Sequence, residues 1–208
     1  MSGYNIVAQS QESTVVAEYK PVSKKDSAYQ TEGALEKAFI ELLQAQAYEY
    51  LPITKESGLI NNLRKQLEIL NKYTFSDAEW DQLFKSKLAN QNNGIEEKTN
   101  IIQEDHIQLL ACDDGTTKNI YLLDKANIHN NRLQVINQYS VEDGQRANRY
   151  DVTILVNGLP LVHIELKKRG VEINEAFNQI NRYNRESFWA GSGLFEYVQI
   201  FVISNGTH

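Results

Sequence analysis

The sequence predicts an α/β fold of the α+β kind, with a mixed central sheet flanked by helices. Three observations support the class. Apolar residues recur at helical spacing up to about residue 104. From residue 106 the pattern turns to short apolar or alternating runs, the period of strands. A helical stretch at 172–187 then precedes one more apolar run, so helices, strand meander, helix and strand follow in order.

Each element has its own signal. Residues 1–26 are polar with scattered apolar positions, and a partly ordered arm is expected there, ahead of one domain over 27–208. From Thr31, TEGALEKAFIELLQAQAYEYL sets Leu35, Ala38, Phe39, Leu42 and Leu43 on one helical face, and Pro52 follows its end. GLINNLRKQLEILNKY repeats the pattern with Leu59, Ile60, Leu63, Leu67 and Leu70. SDAEWDQLFKSKLA opens with Ser76 and Glu79 at capping-box spacing, so a third helix begins there. QNNG at 91–94 is a loop, and a short helix fits about 95–104. The helical segment of about 53–104 reads as an insertion after the first helix. HIQLLAC, NIYLLD and RLQVINQYS are strands, with the DDG at 113–115 turning between the first two. YDVTILV and LPLVHIEL form a pair about Asn157-Gly158, and LFEYVQIFVIS is the last strand.

Several classes are excluded. No run of 18 apolar residues is present, so no transmembrane helix is expected. The N-terminus lacks the basic start and apolar stretch of a signal peptide. The single cysteine, Cys112, cannot form an internal disulfide and reads as core; with the missing signal it fits a reducing, cytoplasmic setting. The four histidines show no metal-ligand spacing. No Gly-x-x-x-x-Gly-Lys-Ser/Thr is present, so no ATP site of the P-loop type is expected in this chain.

Charge is uneven. The net value of −6 argues against a nucleic-acid binder. Residues 146–185, however, carry Arg146, Arg149, Lys167, Lys168, Arg169, Arg182 and Arg185 against four acids. This local excess surrounds RYDVTILVNGLPLVHIELKKRG, where Asp151 opens one apolar run and Glu165 and Lys167 close the next. Glu165 and Lys167 share a strand face. A two-residue turn alone would leave Asp151 on the other face, so an odd loop or a β-bulge is expected.

On residues alone two readings stand. Asp151 ends a strand while Glu165 and Lys167 form a solvated pair, or the two carboxylates hold a cation between them. Oxygen ligands suit Mg²⁺, and a metal-bound water beside a lysine suits phosphodiester hydrolysis. From the spacing alone the first reading is the commoner one, and the apolar character of both runs and the adjacent basic cluster weigh against it. His163 shares the face of Glu165 and is expected to be a packed histidine beside the site. Gln179 and Tyr183, at i and i+4, share a helical face. Taken alone they read as a polar stripe.

Asp151 followed by Glu165-Leu166-Lys167 resembles the PD-(D/E)xK nuclease core. The longer text, with AFNQINRY and QIFVISNGT, resembles the N-terminal nuclease domain of the R (restriction) subunit of type I restriction–modification enzymes. The likeness is strong over about 146–208 and extends to the helix at 28–51. The proline that usually precedes the first Asp is replaced by Tyr150. The resemblance implies Asp151, Glu165 and Lys167 as catalytic residues, with Asp151, Glu165 and the carbonyl of Leu166 as ligands of Mg²⁺, for which Mn²⁺ substitutes. It implies that Gln179 and Tyr183 position DNA or the catalytic groups. Lys168 and Arg182 are expected to contact DNA, and Glu36, with Glu32 as competitor, is the supporting acid. The implied partners are double-stranded DNA and the methyltransferase and specificity subunits, with no membrane. ATP would act through translocase domains outside this chain, which is then a fragment of a larger protein. The rival expectations are a stand-alone nuclease and a non-catalytic DNA-binding or assembly module.

Overall fold

The computed structural model describes residues 4–9, 15–19, 31–143, 146–168, 173–186, 188 and 190–205. Within the expected N-terminal arm, β1 (Tyr4–Gln9) and β2 (Val15–Tyr19) pair antiparallel; the remainder of 1–26 lies outside the described residues. The domain is built on a five-stranded mixed sheet in the order β3-β6-β7-β8-β9. These strands are Glu49–Tyr50, Leu133–Asp143, Arg146–Val156, Leu159–Leu166 and Ile200–Ser204. The two outer pairs are parallel and the two inner pairs antiparallel.

Helix α1 (Glu32–Ala45), capped by the Thr31 hydroxyl, covers one sheet face. Its Ile40 and Leu43 join Val135, Val152, Ile164 and Leu166 in one core. The predicted stripe is partly corrected: Ile40 is buried, while Ala38 and Leu42 face outward. The larger core lies on the opposite face. There α2 (Glu56–Asn71) buries Leu59, Leu63 and Leu67 completely. Next, α3 (Asp77–Leu83) starts on the predicted Ser76/Glu79 capping box and runs into a π-helical turn at Phe84–Leu88. Helix α4 (Ile95–Gln103) follows it. The hairpin of β4 (Ile107–Ala111) and β5 (Thr117–Tyr121) forms a sheet of its own.

Helix α5 (Ile173–Glu186) precedes β9. The last strand is shorter than the sequence predicts, because Leu194–Tyr197 is a 3₁₀ turn. Leu194, Phe195, Tyr197 and Val198 all enter the larger core, a spacing that alternation cannot provide. Gly193 at φ +64 starts the turn, and the buried Lys98 ammonium holds it by donating to the Gly193 carbonyl and to Glu196.

The Asn157-Gly158 turn has positive φ at both residues, +50 and +84, as a type I′ hairpin requires. Asn157 is buried and ties the turn to Leu122, Asn131 and Arg132. A Cβ on Gly158 would lie 2.6 Å from the Leu63 Cα, so the turn is pressed against α2. Gly115, at φ +80, has nothing within 4 Å of a Cβ. In urea unfolding, Gly115→Ala should therefore cost only the left-handed penalty, about 1 kcal/mol. Gly158→Ala should cost about 2–4 kcal/mol, because backbone overlap adds to that penalty. Equal costs would contradict this packing of the turn on α2.

Candidate active site

Two breaks in strand regularity build the site. The first is the expected bulge. Leu155 pairs with Pro160, but Ile154 pairs with Val162, so Leu161 is an extra residue. Beyond it Val152 faces Ile164, and the same register sets Asp151 opposite Glu165. The second break lies one strand over. Ile136 and Tyr139 both enter the larger core, and so does Tyr150, whereas Val152 faces α1. Alternation therefore slips at Gln138 and at Asp151, which stand across from each other between the Asn137/Val152 and Tyr139/Tyr150 pairs. Gln138 takes a φ of +53, which costs a residue with a Cβ about 1–2 kcal/mol.

Tyr150, standing where the resembled motif has proline, anchors this slip. It is wholly buried, with its ring centroid 4.6 Å from Phe195, 4.9 Å from Tyr183 and 5.3 Å from Phe188. Asp151, next to it, is turned toward the end of β8, where its Oδ2 accepts the Leu166 N–H at 2.9 Å. Burial, and then the charge of Glu165, push the Asp151 carboxyl up to about 6, against the opposing pull of the Leu166 N–H and Lys167.

The Glu165 side chain is fully buried. Its Oε1 accepts from Lys167 Nζ at 2.9 Å, and its Oε2 lies 3.5 Å from His163 Nε2. Burial alone would lower the Lys167 ammonium. The bond to Glu165, with the charges of Glu165, Asp151 and Glu32, outweighs it and holds Lys167 above the ordinary lysine range. Lys167 Nζ also donates to Gln179 Oε1 at 2.8 Å. Gln179 Nε2 donates in turn to the Tyr183 hydroxyl, which reaches the Arg149 carbonyl at 3.1 Å. One chain of bonds therefore runs from Glu165 through Lys167, Gln179 and Tyr183 to the strand that carries Asp151. Burial, followed by the Glu165 charge, raises the Tyr183 phenol.

The remaining candidates are distributed around this chain. Glu36 accepts from Asn137 Nδ2 and Gln138 Nε2, both at 2.5 Å, and its charge reaches Asp151. Glu32 accepts the Lys168 N–H at 3.2 Å. The Lys168 side chain is exposed, and the Arg182 guanidinium lies 5.5 Å from the centre of the Tyr183 ring. Asn137, Gln138 and Thr153 also reach the site's neighbourhood, and no motif in the sequence marks them. A left-handed glutamine leaves no mark in sequence, since glutamine is not a residue that favours that region.

Two carboxylates and the carbonyl of Leu166 are an all-oxygen donor set, the kind hard divalent cations take. Burial first, and then the charge of Glu165, disfavour an ionised Asp151, and a cation between the two carboxylates would favour it. The residues fit Mg²⁺ on this ground. Among the described residues no group of three or more His, Cys, Asp or Glu side chains forms a cage. That is compatible with Mg²⁺, which keeps several waters and needs few carboxylates.

The chain matches the family described as the N terminus of the type I restriction enzyme R protein over residues 29–208. It is 48% identical to the type I restriction enzyme EcoprrI endonuclease subunit of Escherichia coli over 202 residues, 97% of this chain and 64% of that subunit. It is 42% identical over 183 residues to the SsaAORF53P endonuclease subunit of Staphylococcus saprophyticus, and 40% over 184 residues to the SauMSSORF170P subunit of Staphylococcus aureus. Each of these two matches covers 86% of this chain and 19% of the staphylococcal subunit. The chain therefore spans less than two thirds of the curated relatives it matches.

The Asp151 shift has a consequence for stability. A carboxyl whose pKa rises on folding penalises the fold wherever it is ionised. The penalty is complete above about pH 6 and vanishes as pH falls toward 3.8. Without divalent metal, Asp151→Asn should stabilise the protein at pH 8 by about 1–2 kcal/mol, after discounting for partial exposure, and have little effect near pH 4. Urea unfolding at the two pH values checks this; a destabilised Asn variant at pH 8 would contradict it.

Proposed function

This chain belongs to the family of type I restriction enzyme R protein N termini, and we propose that it is the Mg²⁺-dependent endonuclease domain of such a subunit. The observation that carries the reading is the placement of Lys167, bonded to both Glu165 and Gln179 beside Asp151. Asp151, Glu165 and the Leu166 carbonyl would hold the ion. When bound, it supplies Lewis-acid polarisation of a phosphate oxygen and a more acidic water.

The chain's own residues do the rest. Lys167, held above the ordinary lysine range, is protonated near neutral pH. It therefore acts as a donor rather than a base, offsetting negative charge that grows on the phosphorus centre. Gln179 aims the ammonium, and Tyr183 holds Gln179 against β7. Lys168 and Arg182 meet backbone phosphates of double-stranded DNA; this is an electrostatic contact without sequence information. Sequence choice belongs to a separate specificity subunit, which joins the methyltransferase subunits as partners in a cytoplasmic complex, and ATP-driven translocation to domains beyond this chain. No helix among the described residues is long and apolar enough to cross a membrane.

In the full-length enzyme, Asp151→Ala, Glu165→Ala and Lys167→Ala should each abolish DNA cleavage and spare ATP hydrolysis; a Lys167→Ala enzyme that cuts normally would refute the mechanism. Gln179→Ala and Tyr183→Ala should slow cleavage roughly tenfold to a hundredfold through misplacement of Lys167, with divalent-metal binding kept. The metal's affinity should fall as pH drops below about 6, where Asp151 takes up a proton. Calorimetric titration at pH 5 and pH 7.5 checks the sign. The isolated chain, with a net charge of −6 and few phosphate contacts, should nick plasmid DNA poorly at physiological salt. Rapid nicking that the Lys167→Ala chain lacks would favour a stand-alone nuclease.

A further inference from the structure

His163 lies directly behind the candidate site and has no part in the chemistry above. It is wholly buried. Its ring is walled by Tyr150, Phe188, Tyr183 and Phe201, with centroids 5.3, 5.9, 6.1 and 6.4 Å away. An aromatic wall of this kind solvates neither nitrogen. Two polar atoms reach the ring: Thr153 Oγ1, 3.5 Å from Nδ1, and Glu165 Oε2, 3.5 Å from Nε2.

Nε2 and Glu165 Oε2 are both buried, and neither has a hydrogen-bond partner among the described residues. A buried polar atom left unpaired costs about 1–3 kcal/mol, so two of them facing each other is a costly arrangement unless they pair. They are complementary: a carboxylate oxygen only accepts, and an imidazole nitrogen can donate. The gap is within about half an ångström of hydrogen-bond length. The carboxylate side selects the tautomer, since only a proton on Nε2 can pair with an acceptor-only oxygen. The Thr153 hydroxyl can donate to Nδ1, which then carries no proton and leaves it on Nε2.

We propose that His163, as its neutral Nε2–H tautomer, is a positioning residue for Glu165. It holds Oε2 from behind while Lys167 holds Oε1 from the front. The carboxylate is then oriented before any cation arrives. Groups that orient a ligand in this way are commonly worth tenfold to a hundredfold in metal affinity. The role rests on the reading of Glu165 as a metal ligand.

Two measurements test it. In the ¹⁵N-histidine-labelled chain at neutral pH, the His163 ring should show a protonated Nε2 and an unprotonated Nδ1; the Nδ1–H tautomer would overturn the proposal. In Mn²⁺ titration calorimetry, His163→Gln, whose amide nitrogen can stand in for Nε2–H, should bind within about threefold of wild type. His163→Phe and His163→Asn, which cannot supply that donor, should lose tenfold or more, while the Phe variant, filling an aromatic pocket, melts near the wild-type temperature. A folded Phe or Asn variant that binds Mn²⁺ as wild type does would overturn the proposal, as would a Gln variant as weak as the other two. Failure of the wild-type chain itself to bind Mn²⁺ would count against the metal-dependent reading, and the ring tautomer would still decide the role of His163.

Discussion

The buried Glu165–Lys167 pair is the interaction around which the rest of the site is arranged. Glu165 sits with no solvent contact at the end of an interior strand, where an isolated carboxylate would be very costly. Lys167 offsets that charge across 2.9 Å, and its own stem is only slightly exposed. Such a pair does not by itself stabilise a fold, because desolvation of both ions consumes much of their attraction. Around it, Gln179 accepts from the ammonium at 2.8 Å, and the His163 ring lies 3.5 Å behind the carboxylate.

From this pair the demands on the backbone follow. Asp151 must be opposite Glu165, yet the tight Asn157-Gly158 turn sets the opposite parity. The extra residue at Leu161 restores it. Asp151 must also turn away from the α1 face while Tyr150 and Val152 stay in separate cores. That requires the slip at Gln138 and Asp151, and the strain at Gln138 is held by its bond to Glu36. Helix α1 therefore has two tasks, covering the sheet with Ile40 and Leu43 and presenting Glu36 to the middle of β6 and Glu32 to the end of β8.

Helices α2 and α4 serve the site at one remove. Helix α2 fixes the hairpin turn through the close approach of Leu63 to Gly158. Helix α4 sends Lys98 into the 3₁₀ turn that brings Phe195 and Tyr197 into the aromatic core. That core holds Tyr150 and Tyr183, so the bonds from Tyr183 to Gln179 and Lys167 begin from a rigid wall. A mobile anchor would leave the ammonium without a fixed direction.

The sequence by itself determined the class, most of the elements and the candidate residues. Helical spacing, the Ser76/Glu79 box and the Asn157-Gly158 turn are local signals, and local physics is sufficient to read them. The parity conflict between that turn and Asp151 even required the bulge. What the sequence could not contain is where distant groups meet. The burial of Ile40 rather than Leu42 and the collapse of Leu194–Tyr197 out of strand form are decided by which surfaces pack together, not by periodicity. The same holds for Asn137 and Gln138 on Glu36, about a hundred positions away, and for His163 beside Glu165 with Thr153 behind it. These are tertiary facts because a buried hydrogen bond is set by distance in space, and only the folded sheet brings those atoms within reach.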